Sequence, residues 1–142
     1  MKKINLQYEI KIDKSINEVE NKILDLNNFL SEFENIEYYK LNKNDFNYVK
    51  TKIKFGPIST NTNIKFLFNS NNRYSYRISG EADSKMWKIK GNSEIGLEKF
   101  LNNSTLIKIS VIFTTEGLLK KLNENLFIDY IKSSIQSYVN KF

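Results

Sequence analysis

The last quarter of the chain carries the hydrophobic pattern that most restricts the fold. Between Leu118 and Phe142 the apolar side chains recur at intervals of three and four residues, the spacing of one face of a helix that Glu116 and Gly117 would begin. A helix of about 24 residues is about 36 Å long. Because nearly all of the preceding sequence alternates with a period of two, as strands do, we expect one long amphipathic helix to be buried by one curved sheet.

The preceding sequence predicts seven strands and two short helices. Ile4–Ile12 is the first strand, Ser15–Glu18 is a capping box that begins the first helix, and Phe29, Leu30 and Phe33 lie on the second helix. The later strands are predicted at Ile36–Leu41, Phe46–Phe55, Ile58–Phe68, Arg73–Ser79, Met86–Glu98 and Thr105–Thr114, with a turn at Asn69–Asn72 and a loop around Gly80–Ser84. Consecutive strands favour hairpins, so the predicted class is α+β with an antiparallel sheet, in one domain over residues 1–142.

Composition excludes several kinds of site. The chain of 142 residues has no cysteine and no histidine, so disulfides, thiolate metal sites and the commonest general base are excluded. We see neither a phosphate-binding glycine loop nor an EF-hand loop, and we expect no cofactor and no metal. The sequence also has neither an apolar signal segment nor a run long enough to span a membrane, which predicts a cytoplasmic protein.

The predicted strands have two different faces. Val49, Thr51 and Ile53 would point inward, and the lysines between them outward. The outward cations form a candidate docking face: Lys50, Lys52, Lys54, Arg73, Arg77, Lys88 and Lys90. With a net charge of +6, this face suits an acidic protein partner or an anionic membrane surface, although solvated lysines that protect sheet edges explain it equally. Nucleic acid is disfavoured, because we see no aromatic residues interleaved with these lysines.

The inward side chains are candidates for lining a cavity between the sheet and the long helix. They are Phe29, Phe33, Phe55, Phe66, Tyr74, Tyr76, Trp87, Ile109, Phe113, Leu122, Leu126 and Tyr130. Its opening would lie near Phe29, Phe33 and the loop at residues 80–86. Bulky rings and a single alanine, Ala82, predict a narrow or flat cavity, which suits a planar ring better than a bulky lipid.

Short motifs spread over nearly the whole chain resemble one protein family. They are Ile16–Leu26 with its Leu24-Asp25 pair, Lys54-Phe55-Gly56-Pro57-Ile58, Tyr74-x-x-x-Ile78-x-Gly80, Lys90-Gly91, Leu97 followed by Thr105-Leu106-Ile107, and Gly117-Leu118-Leu119. Together with the order of elements, they resemble the START-like (SRPBCC) superfamily and, within it, the branch of CoxG, a component of carbon monoxide dehydrogenase. The resemblance implies a helix-grip fold, in which a seven-stranded antiparallel sheet wraps around a long C-terminal helix.

The resemblance also implies a function. It points to a quinone-like or lipid-like ligand and to an accessory role beside a redox enzyme at the inner face of the membrane. Enzymes of this superfamily, such as polyketide cyclases, direct an acid or a tyrosine into the cavity. The inward positions here offer Tyr74, Tyr76 and Tyr130 and no obvious carboxylate, so we expect a non-enzymatic binding protein. The alternatives are a protein-interaction domain that acts through its basic sheet face, and an enzyme of the cyclase or aromatase type.

Overall fold

The computed structural model describes residues 2–117 and 124–142, which form an antiparallel sheet and three helices. The strands are β1 (Lys2–Ile12), β2 (Ile36–Lys40), β3 (Asn47–Phe55), β4 (Ile58–Asn72), β5 (Ser75–Asp83), β6 (Trp87–Phe100) and β7 (Ser104–Gly117). The helices are α1 (Ile16–Leu24), α2 (Leu26–Leu30) and α3 (Glu124–Asn140). The strand order is β1-β7-β6-β5-β4-β3-β2. The predicted α+β class, the seven-stranded sheet, the two short helices after β1 and the C-terminal helix are confirmed.

Side-chain caps begin the two short helices. The Ser15 hydroxyl accepts a hydrogen bond from the Glu18 amide at 3.3 Å and donates one to the Glu18 carboxylate at 3.2 Å. Asp25 begins α2 in the same way, because its carboxylate accepts from the Asn27 amide at 3.1 Å. Such caps satisfy amides that have no partner in the first turn of a helix. Two helices therefore follow β1 with one residue between them.

The hairpin of β4 and β5 differs from the expectation in two places. We predicted a turn at Asn69–Asn72, but β4 continues to Asn72 and the chain reverses at Arg73 and Tyr74, where Tyr74 has a φ of +66°. We also predicted a loop from Gly80 to Ser84, whereas residues up to Asp83 belong to β5 and pair with β4 and β6. The period-two pattern of this strand continues through Gly80, which we had interpreted as a strand end.

The end of β7 also differs from the expectation. Glu116 and Gly117 were predicted to begin the last helix, but both belong to β7, where they pair with Lys88 and Trp87. Gly117 has a φ of +82°, a conformation that favours glycine. Leu118, Leu119 and Leu122 of the predicted helix lie outside the described residues. Within the described ranges, no helix is both long enough and apolar enough to cross a bilayer.

The core lies between one face of the sheet, which we call the inner face, and the helices. Val49, Thr51 and Ile53 of β3 are buried as predicted, and Lys50 and Lys52 between them are exposed. The buried side chains that α3 and the residues after it contribute are Phe127, Tyr138, Val139 and Phe142. These belong to the same apolar cluster as Val19 and Ile23 of α1 and the central residues of β6 and β7. Apolar burial against the inner face therefore holds all three layers together.

Two glycines face each other at the centre of the inner face. Phe66, Gly80, Gly91 and Phe113 are directly opposite one another on the four neighbouring strands β4, β5, β6 and β7. A Cβ atom at Gly80 would lie 2.7 Å from the Lys65 carbonyl oxygen and 2.8 Å from the Phe66 Cβ. Both distances are too short, and the atoms are backbone or next to it, so only glycine fits this position without a shift of the strand.

Gly80→Ala should therefore lower the free energy of unfolding by about 1–3 kcal/mol, because the added methyl group forces β4 and β5 apart. Gly96→Ala, on β6, is the matched control, since nothing lies within 4 Å of its added Cβ. That variant should be neutral or more stable by up to about 1 kcal/mol, because alanine restricts the unfolded chain. Urea unfolding of both proteins checks the comparison, and equal destabilisation would contradict the close approach at Gly80.

Candidate functional site

A cavity of about 270 Å³ lies between the inner face of the sheet and α3. Its lining is mostly apolar. From the sheet it includes Ile53, Ile64, Phe66, Ile78, Ile89, Ile95, Ile109, Val111 and Phe113, and from the helices Phe29, Phe127, Tyr130, Ile131, Ile135 and Tyr138. Small-molecule sites in proteins are usually such apolar hollows with a few polar groups at defined places.

Small residues in the middle of the sheet leave this space open. Gly80, Ala82, Gly91 and Ser93 all line the cavity, and the pairing of β5 with β6 brings them together. On either side, Phe66 contacts Phe29 of α2 with ring centroids 5.0 Å apart, and Phe113 contacts Phe127 of α3 at 5.3 Å. The aromatic pairs support the helices on both sides, while the small residues between them leave a hollow.

Half of the predicted cavity residues line it. Phe29, Phe33, Phe66, Ile109, Phe113 and Tyr130 are in its wall. The sequence interpretation missed the glycines, although counting by twos from Ile78 and Ile89 would have placed Gly80 and Gly91 inward. It also missed Glu32, Ile131, Ser134 and Tyr138, for which the helical spacing from Phe29 and Tyr130 was the available signal. The segment near Gly80 forms the floor of the cavity rather than its opening.

Four other predicted residues do not line the cavity. Tyr76 is 1% exposed, and its hydroxyl donates to the Glu20 carboxylate of α1. Tyr74, at the turn after β4, donates to Asn17 Oδ1 at 3.2 Å. Trp87 is buried at the start of β6, and Leu126 is 42% exposed on α3. The side chain of Phe55 and the whole of Leu122 fall outside the part of the chain that the structure describes.

The cavity opens into a polar groove of about 860 Å³ between α3, β3 and the segment after α2. Among the described residues, Glu32, Phe33, Ile53, Tyr130 and Ser134 line both the cavity and the groove. These residues mark the mouth. The groove itself carries polar side chains, which include Glu34, Lys52, Lys54, Ser133 and Ser137. A ligand in the cavity would thus have an apolar end inside and a polar end at the mouth.

Glu32 is the carboxylate at this mouth, although we had expected no carboxylate to face the cavity. Its side chain is 11% exposed and forms an ion pair with Lys141. The Ser137 hydroxyl donates to the same oxygen, Oε1, at 3.2 Å. Lys141 also donates to the Ser31 hydroxyl at 2.7 Å. These contacts tie the end of α3 to the segment after α2, so the mouth is held by charged and polar groups.

Burial and nearby carboxylates raise the pKa of two tyrosines in the cavity wall. For Tyr138, burial is the main cause and the charge of Glu32 the next. For Tyr130, burial again raises the pKa most, followed by the charge of Glu34. Both phenols are therefore held in the neutral form, which can donate a hydrogen bond to a ligand. Within residues 2–117 and 124–142 we find no group of three or more acidic side chains that could hold a metal ion.

The predicted docking face divides into two parts on the outer face of the sheet. Lys50, Lys52 and Lys54 are exposed on β3 as predicted. The cations on β5 and β6 lie beside acids: Arg77 forms an ion pair with Glu94, Lys90 is opposite Glu81, and Lys88 is between Asp83 and Glu116. Arg73 lies over the ring of Tyr74, 4.8 Å from its centroid. The positive charge is thus least balanced on β3.

Exposed aromatic rings accompany these lysines. Tyr48 precedes Lys50 on the same face of β3, and Tyr38 on β2 is directly opposite Lys50. Phe46 is also exposed, with the Lys65 ammonium 4.1 Å from its ring centroid. Our expectation that the cationic face has no interleaved aromatic residues is therefore wrong, because it took no account of β2, whose tyrosines share this face once the strands pair.

Comparison with known proteins identifies the family. The sequence model of CoxG, a component of carbon monoxide dehydrogenase, matches residues 9–142. The chain belongs to the CoxG family. The resemblance that the sequence motifs indicated is thereby confirmed, within the START-like superfamily. A search of curated proteins finds no match.

Solved structures share the CoxG chain's fold at low sequence identity. A conserved protein from Geobacillus kaustophilus is 13% identical with a TM-score of 0.85, covering 97% of this chain and 91% of that one. A START superfamily protein from Mycobacterium smegmatis is 9% identical with a TM-score of 0.63, covering 96% and 97%. The Zhui aromatase/cyclase from Streptomyces sp. R1128 is 8% identical with a TM-score of 0.64, covering 98% and 90%. At such identities the likeness shows the START-like fold alone.

The raised pKa of Tyr138 gives stability a defined dependence on pH. Its contribution should be complete below the ordinary tyrosine value of 10.0 and be lost as pH rises from there towards the raised value in the folded protein. Unfolding free energy should thus fall more steeply with pH in the wild type than in Tyr138→Phe, which urea unfolding across this range measures. Below about pH 9 the difference between the two proteins should be constant, which is the internal control. Parallel curves above pH 10 would contradict the assignment.

Proposed function

We propose that this chain binds a hydrophobic small molecule in the cavity between the sheet and α3, without changing it chemically. The observation that carries the proposal is the apolar hollow of about 270 Å³ over the paired glycines of β5 and β6. An apolar cavity of about 150 Å³ holds a benzene molecule, so this one has room for about two fused rings or a short chain. Membership of the CoxG family supports the proposal.

The polar groups at the mouth favour a ligand with one polar end. The Tyr130 and Ser134 side chains and the Glu32 carboxylate lie where the cavity joins the groove. Neutral phenols donate hydrogen bonds, and a carboxylate accepts them, so a ring with oxygen substituents finds partners there. A quinone-like ring fits this description best. A longer apolar tail attached to the ring would leave through the groove.

The family name supports an accessory role for this binding activity. The matching family is described as a component of carbon monoxide dehydrogenase, a redox enzyme. A protein that carries a quinone-like molecule beside such an enzyme would supply or remove an electron carrier. We place this activity in the cytoplasm, at the inner face of the membrane. An enzyme of the cyclase type is the alternative, since the Zhui aromatase/cyclase shares the fold and Glu32 supplies a carboxylate at the mouth.

Native mass spectrometry of the freshly purified protein, with solvent extraction of any bound molecule, tests the proposal. An apolar adduct that is released on denaturation is the expected result. Incubation of the protein with a panel of quinones should then raise the melting temperature, with the ligand recovered at unchanged mass. A ligand recovered at altered mass would favour the enzyme. A protein that has no adduct and shows no thermal shift with quinones or lipids would contradict ligand binding altogether.

Filling the cavity should abolish binding without unfolding the protein. Ala82→Leu adds apolar volume to the cavity wall, so affinity for a quinone that stabilises the wild type should fall about tenfold or more. Asp83→Leu is the matched control, because the neighbouring side chain is exposed. Isothermal titration measures both affinities, and melting temperatures verify the fold. Equal affinities of Ala82→Leu and the wild type would place the ligand elsewhere.

A further inference from the structure

Six exposed side chains form a basic and aromatic area at one edge of the sheet, which we call the β2–β3 surface. They are Tyr38, Lys40, Tyr48, Lys50, Lys52 and Lys54. The pairing of the two strands places Tyr38 opposite Lys50 and Lys40 opposite Tyr48, so tyrosines and lysines alternate in both directions. Lys52 and Lys54 continue the same face along β3, because side chains two residues apart in a strand point the same way.

The aromatic part of this surface is unusually open to solvent. Tyr38 is 56% exposed and Tyr48 is 42% exposed, and the neighbouring Phe46 is 39% exposed. A tyrosine ring combines an apolar body with a polar hydroxyl, so it favours an environment that is apolar on one side and wet on the other. A cluster of such rings on adjacent strands indicates a surface that meets a partner with an apolar interior and a polar boundary.

Positive charge is concentrated in the same place. The residues opposite Lys52 and Lys54 on β4 are Asn61 and Ser59, which are neutral. One acid accompanies the surface, since Glu37 lies 3.7 Å from Lys50. By contrast, the lysines of β6 are directly opposite acids on β5 and β7. The outer face is therefore close to neutral over β5, β6 and β7 and positive at the β2–β3 edge.

We propose that the β2–β3 surface docks on a bilayer that contains anionic lipids. Lysines near an anionic bilayer are attracted by its surface potential, and tyrosines occupy the boundary between headgroups and hydrocarbon. The alternation of both residue types over two adjacent strands supplies both interactions at once. All four cations are lysines, whose compact charge suits a diffuse anionic surface.

The residue types argue against other classes of partner. Arginine is the residue that recognises phosphates and bases in two-point contacts, and it is enriched in protein interfaces from which lysine is depleted. The β2–β3 surface has no arginine, because both arginines of the chain, Arg73 and Arg77, precede or lie on β5. The charge pattern is therefore complementary to lipid headgroups rather than to an acidic protein or a nucleic acid.

The surface is continuous with the groove outside the cavity. Lys52 and Lys54 belong to both, while Thr51 and Ile53 between them are buried and also border the groove. A bilayer against the β2–β3 surface would therefore lie beside the mouth. Docking does not depend on ligand binding, because the charge and the exposed rings are present whether or not the cavity is occupied.

Flotation of the full chain with vesicles tests this proposal. Binding is expected to vesicles of phosphatidylcholine with phosphatidylglycerol at low salt and to decrease as salt rises, because salt screens exposed charges. Vesicles of phosphatidylcholine alone should bind far less. No difference between the two vesicle types would overturn the proposal. Tighter binding to a single-stranded oligonucleotide than to anionic vesicles at the same salt would also overturn it, in favour of a nucleic-acid surface.

Two pairs of charge variants locate the binding surface. Lys50→Gln with Lys52→Gln should weaken partitioning onto the anionic vesicles about 30-fold, at about fivefold for each lysine. Lys88→Gln with Lys90→Gln removes the same net charge from the balanced part of the outer face and should change partitioning much less. An equal loss in both pairs would show a general effect of net charge and would overturn the assignment to β2 and β3.

A third pair of variants examines the aromatic contribution. Tyr38→Ala and Tyr48→Ala should each weaken partitioning several-fold and leave its salt dependence unchanged, because they remove interfacial burial and no charge. Melting temperatures are measured first, so that only folded variants are compared. If both alanine variants bind as the wild type does, lysines alone account for the attraction, and the proposed docking of this surface at the bilayer boundary is overturned.

Discussion

The row of Phe66, Gly80, Gly91 and Phe113 is the constraint on which the rest of the molecule depends. The two glycines permit a close approach of the central strands, which a Cβ atom at Gly80 would prevent. The two phenylalanines at the ends of the row contact Phe29 of α2 and Phe127 of α3. One row of four residues across four strands thus determines how closely the strands approach and where the helices are supported. It also determines where space remains, because nothing projects from its two central positions.

The origin of the cavity explains why its volume is small. The hollow is bounded by large side chains on every side except over Gly80, Ala82, Gly91 and Ser93. Its volume comes from absent side chains in a rigid sheet, and protein interiors are otherwise close-packed. A wall of this kind accepts a molecule of defined thickness and rejects a bulkier one. This agrees with a planar ring better than with a branched or folded lipid.

Sequence patterns were sufficient for the fold and for half of the site. The period of two in β3 correctly assigned Val49 and Ile53 to the core, because a strand with one buried face has no other choice of register. The same rule failed at Gly80, where glycine was taken as the end of a strand although it is the residue that its close contacts require. The charge balance of the outer face was beyond sequence reasoning for another reason. Whether Lys88 or Lys52 is opposite an acid depends on which residues pair across strands, and this register is set by the whole sheet.

Strand β3 connects the two functional features that we propose. Thr51 and Ile53 point inward to the groove, and Ile53 also reaches the cavity. Lys52 and Lys54 alternate with them and point outward. An apolar ligand that is stored in a bilayer has to cross an aqueous boundary to reach any protein cavity, and the cost of that step increases with the apolar area exposed to water. A protein that holds its cavity mouth and its bilayer contact on one strand shortens that path to a few residues. The alternation of a single strand, in for apolar contact and out for charge, is enough to place the two side by side.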